Sequence, residues 1–76
     1  MSPELPVVSG REAVRALERA GFRVRRQTGS HLILKRDEPF AQVTVPNHRV
    51  LDRGTLRAII RQAGLSVTEF VDFLRE

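Results

Sequence analysis

Three runs of alternation, at residues 22–27, 31–36 and 41–45, follow one another between segments of helical period, and they limit the fold more than anything else here. Strand side chains point to alternate faces, so a period of two with one apolar set marks a half-buried strand. In the first run Phe22 and Val24 share one side, while Arg23, Arg25 and Gln27 share the other. In the second, Leu32 and Leu34 match the buried side. The third, Ala41-Gln42-Val43-Thr44-Val45, ends at Pro46. Thr28-Gly29-Ser30 is short enough for a hairpin connection, with Gly29 free to take positive φ, and the chain turns again around Asp37-Glu38-Pro39. Three successive strands, each with one apolar face, predict an antiparallel meander.

Local signals bound the helices around it. Residues 1–8 contain two prolines and no helical period, and read as extended. Ser9-Gly10-Arg11-Glu12 fits a capping box, in which Ser9 accepts from the third helical N–H and Glu12 reaches back. Ala13, Val14, Leu17 and Ala20 then form an apolar stripe, with Arg11, Arg15 and Arg19 on the other side and Gly21 as the stop. Asp52 is the expected cap of a second helix carrying Leu56, Ile59, Ile60 and Ala63 on one face and Arg53, Arg57 and Arg61 on the other, ended by Gly64. Ser66-Val67-Thr68-Glu69 repeats the capping box and opens a short last helix with Val67, Phe70, Val71 and Leu74. The predicted architecture is α+β: an α-β-β-β-α order plus a C-terminal helix, with helices on one face of the three-stranded antiparallel sheet.

Length and cysteine content narrow the chemistry. A chain of 76 residues is read as one domain, 1–76, with one modest core. It has no cysteine, which removes disulfides, thiol nucleophiles and Cys-ligated zinc, and suits a reducing cytoplasm. No apolar run approaches the ~20 residues a membrane span needs. The Met1–Pro6 start lacks a signal-peptide layout, so a soluble cytoplasmic location is expected. Walker loops, dinucleotide fingerprints and nucleophile elbows are missing too, so no cofactor is expected. Two histidines and scattered carboxylates show no metal-ligand spacing.

Charge points to the partner. Of thirteen basic residues twelve are arginine, and the net charge is +4. The chain up to Arg61 carries +6, and the remainder −2. Such asymmetry implies a polyanion, RNA or DNA first. With helices on the Phe22, Val24, Leu32, Leu34 face, the opposite face is predicted to carry Arg23, Arg25, Gln27, His31, Ile33, Lys35, Gln42 and Thr44. Pairing Gln27 with His31 would set Arg23 opposite Lys35. Like charges placed across strands repel, and an RNA phosphate would relieve them. An imidazole there could move a 2′-hydroxyl proton. His48 lies in the loop before the second helix, where fixing the loop is its simpler role and a second acid the alternative.

Gly21-Phe22, then Gln27-Thr28-Gly29-Ser30-His31, then Val43-Thr44-Val45-Pro46-Asn47-His48, then Gly54-Thr55-Leu56-Arg57-Ala58-Ile59-Ile60-Arg61-Gln62-Ala63-Gly64-Leu65-Ser66 resemble the HicA (YcfA-like) mRNA interferase toxins in the same order. The resemblance covers roughly residues 7–75. It implies a double-stranded-RNA-binding-domain-like fold and a toxin of a type II toxin–antitoxin system that cleaves mRNA under control of a HicB-type antitoxin. It also carries the family's catalytic histidine onto His31, with His48 at a second family histidine position. The expected activity is thus metal-independent RNA cleavage, with His31 moving a proton and Arg25 and Lys35 stabilising phosphate charge. Ser30, His48 or water are the candidate second proton carriers, and Arg23 and Gln27 further RNA contacts. Two other classes compete: a non-catalytic RNA-binding module of the same fold, and a protein-interaction domain docking through Phe70, Val71, Phe73 and Leu74.

Overall fold

The computed structural model describes residues 5–76. The expectation of extended chain over residues 1–8 therefore falls partly outside the described residues; from Leu5 to Ser9 the chain is neither helix nor strand. Helix α1 spans Gly10–Arg19, strands β1, β2 and β3 span Arg23–Thr28, His31–Asp37 and Phe40–Pro46, and helices α2 and α3 span Arg53–Gln62 and Val67–Arg75. The expected order holds at every element.

The caps form where the local sequence supplies them. The Ser9 hydroxyl accepts from the Glu12 N–H at 3.0 Å while the Glu12 carboxylate accepts from the Ser9 N–H at 2.9 Å. Ser66 and Glu69 repeat both bonds at 3.0 and 2.8 Å. Asp52 caps α2 by accepting from the Thr55 N–H at 2.8 Å and its hydroxyl at 3.1 Å. These bonds satisfy donors that a helix start otherwise leaves orphaned. They also favour the charged carboxylates: the Ser9 backbone and hydroxyl lower the Glu12 pKa, and the Thr55 backbone and hydroxyl lower that of Asp52.

Both long helices end alike. Gly21 at φ +99° lets its own N–H reach the Glu18 carbonyl and the Phe22 N–H reach that of Leu17. Gly64 at φ +73° does the same for α2, with Gly64 donating to Arg61 and Leu65 to Ile60. This double bond pattern turns the chain sharply off each helix and needs a left-handed residue.

The sheet is an antiparallel meander in the order β1-β2-β3. α1 and α2 pack on one face of it, and α3 packs across α1. Leu34, Val43 and Val45 from the sheet meet Ala13, Leu17, Phe22, Leu56, Ile59 and Phe70 in one core, and no polar or charged described residue is buried with them. Phe70 and Val71 are buried in that core, and Phe73 and Leu74 pack against it half-covered. Burying a side chain such as Phe70 contributes about 1.5–3 kcal/mol. The terminal apolar cluster is therefore core, and the reading of it as a docking surface is withdrawn.

One register differs from expectation. Arg23 pairs with Lys35 and Val24 with Leu34, but Arg26, not Arg25, pairs with Ile33. Gln27 then faces Leu32, and Thr28 faces His31. Arg25 is the extra, unpaired residue of a β-bulge, a feature common on edge strands such as β1. The hairpin loop is consequently two residues, Gly29-Ser30, with Gly29 at φ +54° as a tight β-turn of this hand requires. β2 and β3 pair without interruption from His31↔Pro46 to Asp37↔Phe40.

Candidate functional site

Directly opposed residues of an antiparallel pair share a face, so the register sorts the sheet into two sides. Val24, Leu34 and Val43 form one row beneath the helices, followed by Gln27, Leu32 and Val45. The open side carries Arg23, Lys35 and Gln42 in one row, Arg26, Ile33 and Thr44 in the next, and Thr28, His31 and Pro46 at the end. His31, Arg23, Arg26 and Lys35 are all exposed there.

This arrangement corrects the expected composition of the face. The bulge carries Gln27 to the helix side, where it lines a groove of about 230 Å³ with Arg11, Val14, Arg15, Leu32 and Asn47. It brings Arg26 onto the open face in its place. Arg25 sits in a cleft with Arg23 and Lys35, so those three expected residues do converge. The alternation misses Arg26 because no apolar residue follows Val24 in β1 to reveal a change of phase. Arg26 is legible only once the His31 pairing is known.

His31 is the first residue of the central strand and immediately follows the turn. Its neighbours are fixed by backbone. The Asn47 N–H donates to the Ser30 carbonyl at 2.6 Å, joining the β1–β2 turn to the end of β3. The next residue, His48, accepts at its carbonyl from the Gly10 N–H at 2.8 Å, and Leu51 donates to Val8 at 2.8 Å. A Cβ on Gly10 would collide with the Pro46 carbonyl oxygen, so glycine is what allows the start of α1 to lie on this loop. The loop 47–52 is thus held on both flanks. Ser30 and His48 are exposed, and the charge of His48 adds a small lowering to the Asp52 carboxyl. Ser30, His31 and His48 therefore belong to one end of the sheet, while Lys35 and Arg23 lie toward the other.

Two cations outside this face have structural partners. Arg36, on the helix side of β2, donates to the carbonyls of Pro39 at 3.0 Å and Ala63 at 3.2 Å, and approaches that of Ala20 at 3.5 Å. Its guanidinium carbon lies 4.6 Å from the centre of the Phe22 ring. Arg19 donates to the Phe73 carbonyl at 2.7 Å and ties α1 to α3. The open face has a different chemistry: closely spaced cations that bind anions, and an accessible imidazole able to give or take a proton. Among the described residues no three His, Asp or Glu side chains gather as a metal-holding group, and no helix is long and apolar enough to cross a membrane.

A search of curated proteins returned no match. A family model described as the HicA toxin of bacterial toxin–antitoxin matches residues 10–65. That span holds α1, the whole sheet, the pinned loop and α2, and includes His31 and His48. A match over well more than half of its length establishes that the chain belongs to the HicA toxin family, and so is a toxin with a cognate antitoxin as partner.

Proposed function

We propose that this toxin is an mRNA-cleaving endoribonuclease, with RNA backbone lying on the open sheet face and His31 carrying a proton in the cleavage step. The observation that supports it most is the place of His31: exposed, on the central strand, and on the same helix-free face as Arg23, Arg26 and Lys35. In the proposed reaction the ribose 2′-oxygen bonds to the adjacent phosphorus as the bond from phosphorus to the 5′-oxygen breaks. The 2′-hydroxyl gives up a proton, and the departing 5′-oxygen takes one. His31 serves one of these transfers, and His48, Ser30 or water serves the other. Imidazole suits either task because it ordinarily titrates near neutrality. A positioned group of this kind typically contributes 10²–10⁴-fold in rate. Arg26, the cation nearest His31 on this face, offsets charge at the phosphate being cut, Arg23, Arg25 and Lys35 hold phosphates farther along the strand, and no metal ion enters the step as written. The site of action is the cytoplasm, where mRNA and a HicB-type antitoxin meet the toxin.

His31→Ala tests this reading. The side chain is exposed and lies off the core, so stability should change by no more than about 0.5 kcal/mol. RNA cleavage and growth arrest should fall by roughly 10²-fold or more, with circular dichroism and antitoxin binding retained. A folded His31→Ala chain that cuts RNA at the parent rate overturns the assignment. Parent protein that binds RNA and leaves it intact returns the non-catalytic module as the better reading.

A further inference from the structure

Phe40 opens β3 on the far end of the same face, and it is 70% exposed. It pairs with Asp37, two residues beyond Lys35 on β2, so parity sets it on the side of His31 and not of the helices. A phenyl ring left in water costs stability that a buried position would recover. Around it lies a cleft of about 350 Å³ lined by Arg23, Arg25, Lys35, Arg36, Asp37 and Phe40. Arg36 turns its guanidinium to backbone carbonyls beneath the helices. Arg23, Arg25 and Lys35 remain at the cleft, the first and last directly opposite each other. Like charges so placed repel, and the bulge adds a third.

Resting on the proposed RNA cleavage, we infer that this cleft is an anchor for one nucleotide of single-stranded RNA, its base stacked on Phe40 and its flanking phosphates held by Arg23, Arg25 and Lys35. An aromatic face beside cations is the combination by which proteins grip single strands without reading sequence, because every base has a π-face. Asp37 favours a nucleotide over an acidic peptide. Its carboxylate can accept from an exocyclic amino group of a base, a donor that an acidic side chain lacks. The anchor is remote from the cutting end. His31 and Asp37 stand six residue steps apart along β2, about 20 Å at roughly 3.3 Å per step. A strand seated at both ends is therefore fixed in direction across the face, and the anchor acts on substrate binding, not on proton transfer.

The test uses a fully 2′-O-methylated oligonucleotide of about eight nucleotides, which lacks the attacking hydroxyl, with 2-aminopurine placed at one position at a time. Parent protein and Phe40→Trp should bind it with similar affinity and quench the fluorescence at one position more than at the others. Phe40→Ala should bind about tenfold more weakly, at the lower end for losing one base–aromatic stack, and lose that position-specific quenching. On cleavable RNA the same variant should raise KM and leave kcat in place. Because Phe40 is exposed, the substitution should leave the melt of the protein unchanged. Parent and Phe40→Ala chains binding equally, with the same quenching, overturn the anchor and leave the nuclease reading standing. A Phe40→Ala chain impaired only toward the antitoxin assigns the ring to that protein and overturns the anchor. Failure of the parent to bind any RNA overturns both.

Discussion

Arg36 shows how one side chain can join elements that share no sequence neighbourhood. The C-terminal ends of α1 and α2 expose carbonyls at the negative ends of their dipoles, and both helices stop at glycines that clear space beside this arginine. The planar fork of a guanidinium can serve several carbonyls at once, whereas an ammonium is a point charge on a flexible stem. The alternation already sets Arg36 on the side of Leu32 and Leu34, which is an odd place for a charge. Its partners are not legible, because Ala20 and Ala63 lie 16 and 27 residues away and meet only in the folded chain. Arg36→Met should cost about 2 kcal/mol, from charged hydrogen bonds lost to partly buried carbonyls. Arg36→Lys should recover only part of that in a urea melt. Stability of Arg36→Met within about 0.5 kcal/mol of the parent would show that water replaces those bonds without loss.

At the level of elements, legibility follows how local the determining interaction is. The three helix starts are readable because a cap and its partner lie three residues apart, as in Ser9–Glu12 and Ser66–Glu69. β2 and β3 are readable because apolar residues recur on the buried side, Leu32 with Leu34 and Val43 with Val45, and a slip would expose them. β1 has only Val24, itself 41% exposed, and four polar residues after it. Nothing apolar after Val24 opposes a slip, and the bulge moves Gln27 to one face and Arg26 to the other. Substitution can expose this exchange. Arg26→Ala should flatten the dependence of log K for single-stranded RNA on log salt by about 0.7, the share of one phosphate contact. Gln27→Ala should leave that slope unchanged. A slope that Arg26→Ala leaves unchanged would restore the unbulged register and the site it implied.

Over the whole molecule, charge divides along the chain. The acidic excess falls after Arg61, in and beyond α3, which packs across α1 away from the sheet. An antitoxin that competes with RNA on the open face must neutralise Arg23, Arg26 and Lys35 beside His31. The cognate antitoxin is expected to cover His31 with an acidic surface, and saturating antitoxin should abolish both RNA binding and cutting. A stable complex that cuts RNA at the free rate would place the antitoxin elsewhere. The bulge bears on a different hazard. β1 is an outer strand of the sheet, with one ladder of N–H and C=O groups facing no strand among the described residues, and a second copy meeting it there could extend the sheet from chain to chain. At Arg25 the ladder is bent out of line, and two such margins brought together would set Arg23, Arg25 and Arg26 of one copy against those of the next. The bulge and the arginines around it thereby disfavour growth of the sheet from one copy to the next.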